Sequence, residues 1–244
     1  MDMFANITKQ LSSRNITFFG TTEEQHLSTL EPIERKYVEK SVLKRQNEFA
    51  TGRWCAKQAM LKLGIGTNKI LMGQDNEPVW RNDITGSITH ADKAFCAAVA
   101  DIKDLHSIGI DIESRYRIIS PDALTLILNE DEKSWIAQTG KRSRFYAILI
   151  FSAKESIYKM IYPVTNKKFF FDAVSVSRPT SKPGRIIMKS LILREIKSKL
   201  PFFKSCGVLS AELKTDLGEG YSANRKFAVY YFFNKKWIVT VTYI

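Results

Sequence analysis

Cysteine and histidine are scarce in this 244-residue sequence, which has three residues of each. The cysteines, Cys55, Cys96 and Cys206, lie too far apart in the chain to predict a disulfide framework or a zinc site. No apolar run is long enough to cross a bilayer, and the first residues lack the pattern of a signal peptide. These absences predict a protein of the reducing cytoplasm with no transmembrane segment.

Acidic residues are the minority among the charges. The 25 Asp and Glu residues stand against 37 Lys and Arg residues, which makes the net charge +12. Such a charge attracts polyanions, which include nucleic acid, anionic membranes, phosphorylated metabolites and acidic proteins. The charge alone does not choose among these partners.

The hydrophobic pattern changes between helical and strand periods along the chain, with no low-complexity tract and no close repeat. Helical patterns cover residues 31–63, 120–139, 141–149 and 152–161. Strand patterns cover residues 87–90, 94–100, 107–113, 169–177, 185–193, 226–233 and 236–244. The last two strands form a predicted hairpin, and residues 177–184 form a predicted loop. This mixture predicts an α+β fold with mainly antiparallel sheets.

Two acidic residues in the predicted strand 107–113, Asp111 and Glu113, alternate with Ile110 and Ile112. Residues i and i+2 of a strand face the same side, so the two carboxylates are expected to lie together. Like charges this close repel each other unless a cation compensates them, and Mg²⁺ is a cation that carboxylates hold well. The alternative is a half-exposed strand whose acidic residues face solvent.

The stretch FSAKESIYKM, residues 151–160, has a structural and a functional interpretation. Ser152 and Glu155 fit the capping box S-x-x-E, and Glu155 and Lys159 fit an i, i+4 ion pair. In the functional interpretation, Glu155 binds a metal and Lys159 binds a phosphate on the same helix face. Lys154 would then lie near the helix N-terminus, where anions are favoured.

The stretch GSITHAD, residues 86–92, places His90 after Ser87 and Thr89. The hydrolase pattern G-x-S-x-G is absent, which excludes a nucleophile elbow. A lone histidine is more often structural than catalytic, but two hydroxyls and an imidazole at a strand end could also hold a phosphate. The helical region 31–63 is strongly basic, because it contains Lys44, Arg45, Arg53 and Lys57. Such a charge is typical of a solvated helix face.

Taken together and in this order, these segments resemble the motifs of 4′-phosphopantetheinyl transferases of the surfactin and enterobactin type. The stretches WRNDITGSITHAD, SIGIDIE and FSAKESIYKM resemble the three motifs of the family. NEFATGRWCAKQAM further resembles a helix of the enterobactin-type branch. Gly109–Glu113 matches G-[IV]-D-[IV]-E, and Phe151–Lys159 matches [WF]-S-x-K-E-[AS]-x-x-K. The resemblance covers residues 44–159 and is loose beyond them.

The resemblance implies a fold of two pseudo-symmetric α/β halves, residues 1–105 and 106–244, with the active site at their interface. It also implies a Mg²⁺-dependent enzyme that transfers the phosphopantetheine arm of coenzyme A to a serine of an apo carrier protein. Adenosine 3′,5′-bisphosphate would be released. The partners would be coenzyme A and an acidic carrier protein rather than nucleic acid, and the chain would be a monomer. The enterobactin-like motifs favour siderophore or other nonribosomal peptide biosynthesis.

The resemblance also implies roles for individual residues. Mg²⁺, or Mn²⁺ in its place, would be held by Asp111, Glu113 and Glu155. Glu155 would act as base, as metal ligand or as both, and Lys159 would steady charge on the phosphoryl or leaving group. His90 would bind the 3′-phosphate of coenzyme A. The full set of residues that would bind coenzyme A is Arg45, Arg53, Lys57, Ser87, Thr89, His90, Lys154 and Lys159.

Two positions depart from the family pattern. Glu77 precedes Pro78 where relatives often have a basic residue, which puts a coenzyme A contact there in doubt. Arg81 follows Trp80 where relatives often have proline, and its charge could be a replacement.

Two other functions fit part of the sequence. A magnesium-dependent nuclease would use the paired acids and the basic charge, but the lysines around Glu155 do not have the spacing of such nucleases. A binding module for nucleic acid or for an acidic protein leaves the three motifs together unexplained. Replacing Glu155 by alanine separates these possibilities, because only an enzyme should lose turnover.

Overall fold

The computed structural model describes residues 3–12, 15–66, 69–178, 206–218 and 220–244. The chain divides into two compact units. The first comprises Met1–Ile112, Lys159–Val164 and Tyr243–Ile244, and the second comprises Glu113–Tyr158 and Thr165–Thr242. The first unit thus includes two late segments of the chain, so the two units are not divided at a single point. The predicted boundary between residues 105 and 106 stays a prediction.

The first unit is a three-stranded antiparallel sheet packed with helices. Its elements are α1 (Met3–Ser12), β1 (Ile16–Thr21), α2 (Pro32–Arg35), α3 (Leu43–Lys62), β2 (Leu71–Met72), β3 (Pro78–Val79), β4 (Ile84–Ala91) and β5 (Ala94–Asp101). The strand order is β1-β5-β4, and β2 and β3 form a separate two-stranded sheet. The predicted strands 87–90 and 94–100 are confirmed as parts of β4 and β5, which pair antiparallel with Thr89 opposite Cys96 and a turn at Asp92, whose φ is 49°.

Helix α3 packs closely on this sheet because small residues face it. Cys55, Ala56 and Ala59 share a buried cluster with Phe95 and Val99 of β5. At Gly52 a Cβ atom would stand 2.9 Å from Cγ2 of Ile88 in β4, so only glycine allows this approach. The glycine of the stretch FATGR therefore sets the distance between α3 and β4.

The predicted helix over residues 31–63 is two helices. Helix α2 ends at Arg35, and α3 begins only after Val42, which has an extended backbone with ψ of 150°. The apolar spacing continues through both segments because Val38, in the turn between them, is buried. The predicted end of the helix at Gly64 is confirmed, and this glycine has a φ of +80°.

Among the described residues, the second unit contains most of a five-stranded sheet and three helices. Its elements are β6 (Ile108–Ser114), α4 (Pro121–Ile127), α5 (Glu130–Ala137), α6 (Ser143–Thr165), β7 (Val174–Ser177), β8 (Cys206–Leu213), β9 (Lys226–Phe233) and β10 (Trp237–Tyr243). Strands β6 and β10 and helix α6 also have residues in the first unit. The strand order is β6-β10-β9-β8-β7, and the β9–β10 hairpin is confirmed. Helices combined with antiparallel strands confirm the α+β class.

The helices of this unit differ from the prediction. The segments 141–149 and 152–161 belong to one continuous helix, α6, so Ser152 does not begin a helix. Ser152 is fully buried and shares a hydrogen bond of 2.9 Å with the hydroxyl of Thr240. The predicted capping box at Ser152 is therefore wrong, and Lys154 lies in the helix interior. The predicted helix 120–139 is interrupted at Asn129, which caps α5.

Two predictions fall largely outside the described residues, namely the loop 177–184 and the strand 185–193. Within the ranges that the structure describes, no helix has the length and hydropathy needed to cross a membrane.

Candidate active site

Two hydroxyl groups on one face of β4 bind the backbone of β6. Ser87 and Thr89 are both buried, as alternate residues of a strand on its inner face should be. The Oγ of Ser87 accepts a hydrogen bond from the N–H of Ile110 at 3.1 Å. Thr89 Oγ1 accepts one from the N–H of Ile112 at 3.3 Å. These bonds hold the segment that carries Asp111 against β4.

Asp111 lies at the centre of a cluster with the buried Thr89 and the half-buried Lys159. Its Oδ1 accepts a hydrogen bond from the Thr89 hydroxyl at 3.0 Å. The same oxygen forms an ion pair with Lys159 Nζ at 2.7 Å. Lys159 Nζ also donates to the Thr89 hydroxyl at 3.2 Å. The second oxygen, Oδ2, is buried and has no hydrogen-bond partner among the described residues. The structure therefore joins one predicted metal ligand to the predicted catalytic lysine.

The buried Oδ2 of Asp111 is the observation that fits a bound cation, since a buried carboxylate oxygen rarely lacks a partner. Glu113 has a cationic partner, because Arg117 Nη1 is 2.6 Å from its Oε1. Within the described part of the chain, no group of three His, Cys, Asp or Glu side chains is arranged to hold a metal. The ligand set Asp111, Glu113 and Glu155 therefore stays a prediction.

His90 belongs to a second charged group in the first unit. Its Nε2 is 3.5 Å from Oε2 of Glu48, and its ring stacks on Phe95 with centroids 5.8 Å apart. Burial lowers the pKa of His90, Glu48 raises it, and the positive charges of Lys159 and Arg45 lower it further. The imidazole therefore lies beside one acid, Glu48, and within the field of two cations, Lys159 and Arg45, whose positive charge favours contact with an anion.

Arg53 on α3 is a buried cation that does not use all of its hydrogen-bond donors within the described residues. Its Nε and Nη2 atoms are buried and have no hydrogen-bond partner among the described residues. The guanidinium carbon stands 3.6 Å from the ring centroid of Phe49. Burial lowers the pKa of Arg53 to about 10, although Glu34 acts in the opposite direction. The side chain is therefore still charged at neutral pH and is suited to an anionic ligand.

Two other predicted coenzyme A contacts, Lys57 and Lys154, are buried and paired with glutamates. Lys57 Nζ lies 2.7 Å from Oε2 of Glu34. Lys154 Nζ donates to Oε2 of Glu132 at 2.8 Å and to two backbone carbonyls, those of Ile127 at 2.7 Å and Phe171 at 3.0 Å.

These bonds occupy the whole donor capacity of the Lys154 ammonium, which has three hydrogens. A phosphate contact by this lysine would require one of them to break. Sequence reasoning missed the two glutamates. Their signal is their place at the third position of a short helix, from which the side chain reaches back to the chain preceding the helix.

A cavity of about 290 Å³ adjoins Glu155 in the second unit. Its walls are mainly aromatic and apolar, and it was not predicted from the sequence. One of its aromatic residues, Phe170, is 82% exposed. The cavity is lined by Lys154, Glu155, Tyr158, Lys168, Phe169, Phe170, Phe171 and Val174.

The two departures from the family pattern have local partners. Arg81 forms an exposed ion pair with Asp83. Glu77 Oε2 accepts a hydrogen bond from the N–H of Asp75 at 2.9 Å and so belongs to its own turn. The suggested role of Arg81 at a ligand stays a prediction.

The buried Asp111 carboxylate beside Lys159 is accompanied in the first unit by the partly exposed imidazole of His90. Arg53, two of whose buried nitrogens have no hydrogen-bond partner among the described residues, is a further group suited to an anionic ligand. A model of the 4′-phosphopantetheinyl transferase N-terminal domain matches residues 33–100. A model of the 4′-phosphopantetheinyl transferase superfamily matches residues 107–206.

Curated relatives agree with these matches. The chain is 32% identical over 165 residues to the 4′-phosphopantetheinyl transferase PptT of Mycobacterium tuberculosis. The aligned residues make up 66% of this chain and 72% of PptT. The chain is 35% identical over 162 residues to Svp of Streptomyces mobaraensis, over 65% of each chain, slightly less than two thirds of Svp. It is 32% identical over 117 residues to enterobactin synthase component D of Escherichia coli K12, over 48% of this chain and 54% of that protein. The chain belongs to the 4′-phosphopantetheinyl transferase superfamily.

Proposed function

We propose that this protein transfers the 4′-phosphopantetheine arm of coenzyme A to a serine of an apo carrier protein, with release of adenosine 3′,5′-bisphosphate. The observation that carries the proposal is the hydrogen-bonded cluster of Thr89, Asp111 and Lys159. These residues come from three of the family-like stretches, and their side chains are in direct contact.

Cations on the first unit bind the phosphates at the adenosine end of coenzyme A in this proposal. Arg53 supports it best, because two of its buried nitrogens have no partner among the described residues. His90 takes the 3′-phosphate, and Arg45, one of the cations that act on the pKa of His90, adds charge nearby. The contacts predicted for Lys57 and Lys154 require their ion pairs to open, so these two lysines act in the proposal by holding their helices in place.

Asp111, Glu113 and Glu155 would hold Mg²⁺, or Mn²⁺ in its place. The bound ion supplies positive charge against the pyrophosphate oxygens. Asp111 would bind it through Oδ2, while Oδ1 stays with Thr89 and Lys159. Glu113 would have to share its carboxylate with Arg117.

Glu155 and Lys159 perform the chemistry in this proposal. The oxygen of the carrier serine forms a bond to the phosphorus next to the pantetheine arm, and the bond from that phosphorus to the leaving phosphate breaks. Glu155 takes the serine proton, directly or through water. The ammonium of Lys159, held against Asp111, balances the charge that grows on the departing oxygen.

The aromatic cavity beside Glu155 supports a place for the pantetheine arm. The arm is long and largely uncharged, and the cavity is bounded by Tyr158, Phe169 and Phe171. Binding the arm there would leave the reacting phosphorus close to Glu155.

The partner in the proposal is an acidic carrier protein, which the net charge of +12 attracts by electrostatic steering. One set of relatives is named enterobactin synthase component D, which favours a siderophore or other nonribosomal peptide pathway for this chain. The reaction would take place in the cytoplasm, with the chain as a monomer.

Intact mass spectrometry of an apo carrier protein incubated with this protein, coenzyme A and MgCl₂ tests the proposal. We expect the carrier to gain the mass of one phosphopantetheine, and a chelator to prevent the gain. Glu155→Gln should reduce the rate at least about a hundredfold, as loss of a catalytic base does. Glu130→Gln is the matched control, because Glu130 is an exposed acid that should not affect transfer.

No mass gain with aryl, peptidyl and acyl carriers, from a preparation that is folded and binds coenzyme A, would refute the transfer. Mg²⁺-dependent cleavage of DNA by the same preparation would instead establish the nuclease.

A further inference from the structure

The hydroxyl of Thr89 is used to its full capacity inside the protein. It donates to Oδ1 of Asp111 at 3.0 Å and accepts from the N–H of Ile112 at 3.3 Å and from Lys159 Nζ at 3.2 Å. A threonine hydroxyl has one donor and two acceptor sites, so none is left for a ligand. The expected contact of Thr89 with coenzyme A would break one of these bonds.

The two oxygens of Asp111 are treated differently by this arrangement. Thr89 and Lys159 both bind Oδ1, while Oδ2 is buried and has no hydrogen-bond partner among the described residues. Leaving a buried carboxylate oxygen without a partner costs free energy, so the surrounding groups must impose this orientation. The Thr89 hydroxyl is rigidly placed to do so, because its β-branched side chain is anchored to the N–H of Ile112.

We propose that Thr89 is a positioning residue, whose hydroxyl holds the Asp111 carboxylate with Oδ1 on Lys159 and Oδ2 directed to a divalent cation. The inference rests on the proposed function for the identity of that cation. It gives a reason for a hydroxyl at this position that does not involve coenzyme A. Loss of such a group behind a metal ligand weakens metal binding by about 10- to 100-fold.

Ser87 provides the matched control on the same strand. It is as buried as Thr89 and also accepts a hydrogen bond from a backbone N–H of β6, that of Ile110. Its bond reaches the backbone of β6, whereas the bond of Thr89 also reaches the Asp111 carboxylate. Ser87→Ala therefore tests the anchoring of β6, and Thr89→Val tests anchoring together with carboxylate orientation.

The experiment measures Mn²⁺ binding to the protein by electron paramagnetic resonance, with coenzyme A present at saturation. We expect Thr89→Val to raise the Kd for Mn²⁺ about tenfold or more. Thr89→Ser, which keeps the hydroxyl, should stay within about threefold of wild type, and so should Ser87→Ala. In transfer assays Thr89→Val should lower kcat more than it raises KM for coenzyme A. If Thr89→Val does not fold, Thr89→Ala replaces it in the same titration.

Three results would overturn the inference. They are wild-type Mn²⁺ affinity in a folded Thr89→Val or Thr89→Ala protein, an equal loss of affinity in Ser87→Ala, and no Mn²⁺ binding by the wild type. A wild type that binds Mn²⁺ but transfers nothing to any carrier would refute the proposed function, while the Thr89 comparison would still decide the inference.

Discussion

The two units of the chain contain the same buried arrangement of glutamate and lysine. In the first, Oε2 of Glu34 accepts from the N–H of Glu31 at 2.8 Å and from Lys57 Nζ at 2.7 Å. Its Oε1 accepts from the N–H of Ile70 at 2.9 Å. The glutamate thus joins the start of α2, the long helix α3 and the chain entering β2.

In the second unit Glu132 repeats these bonds atom by atom. Its Oε2 accepts from the N–H of Asn129 at 2.9 Å and from Lys154 Nζ at 2.8 Å, and its Oε1 accepts from the N–H of Val176 at 2.7 Å. Glutamate and lysine are 23 residues apart in the first unit and 22 in the second. This repetition supports the expectation of two similar halves, although the sequence shows no close repeat.

The two arrangements differ at the lysine. Lys57 has Glu34 as its hydrogen-bond partner among the described residues, whereas Lys154 also binds the carbonyls of Ile127 and Phe171. Phe171 belongs to the wall of the cavity beside Glu155. The comparison teaches that the pair belongs to the fold of each unit. In the second unit its lysine additionally fixes the segment next to the proposed base.

The largest expected effect is from breaking each pair on one side. Lys154→Met and Lys57→Met each leave a fully buried glutamate without its cation, which costs about 3–5 kcal/mol. Lys154→Met should cost more, because two carbonyls also lose a donor. Urea unfolding measures both losses. Lys133→Met, which removes a half-buried lysine paired with the exposed Glu130, is the control and should change the unfolding free energy by about 1 kcal/mol or less. A greater loss for Lys57→Met than for Lys154→Met would contradict the comparison.

Replacing both partners by apolar residues sharpens the comparison. The doubles Glu34→Leu/Lys57→Met and Glu132→Leu/Lys154→Met both remove the buried charge, so each should recover part of the loss of its single lysine variant. The second should recover less, by about 1–3 kcal/mol, since the carbonyls of Ile127 and Phe171 stay without a donor. Equal recovery in denaturant titrations would show that these carbonyl bonds add nothing.

A smaller effect is expected from the cap of α5. The side-chain oxygen of Asn129 accepts from the N–H of Glu132 at 2.9 Å, and its amide donates to the Ser175 hydroxyl at 3.0 Å. Asn129→Ala should cost about 1–2 kcal/mol. Ser120→Ala removes a simple cap of α4 and should cost about 1 kcal/mol or less, so thermal unfolding that ranks the two in reverse would contradict the added role of Asn129.

The smallest expected effect is on the pH dependence of stability. Burial lowers the pKa of Lys154, although Glu132 acts in the opposite direction. Between that lowered pKa and the ordinary value of 10.5, the unfolded chain binds more protons at Lys154 than the folded protein does. The contribution of Lys154 to stability therefore increases as pH rises through this window. The unfolding free energy of wild type should therefore increase relative to that of Glu132→Leu/Lys154→Met as the pH rises through this window.

Local patterns in the sequence predicted the parts of the fold that depend on neighbours in the chain. Strands β4 and β5, the β9–β10 hairpin and the start of α4 after Ser120 follow from alternation, turn residues and capping residues. The same reasoning failed at Ser152, where a capping pattern occurs inside α6. Ser152 is buried and its hydroxyl bonds to Thr240 instead of capping a helix. A local sequence pattern carries no information about a contact with so distant a residue.

The sequence by itself determined the family, because its motifs have fixed spacing, while the catalytic and metal-binding roles of Asp111, Glu155 and Lys159 within those motifs stay a prediction. The tertiary structure alone decided which of the predicted ligand contacts are already occupied within the protein. Lys57 and Lys154 are held by glutamates more than twenty residues away, and Thr89 is held by Asp111 and Lys159. The physical reason is that a hydrogen bond between distant residues exists only once packing has brought its two atoms within about 3 Å.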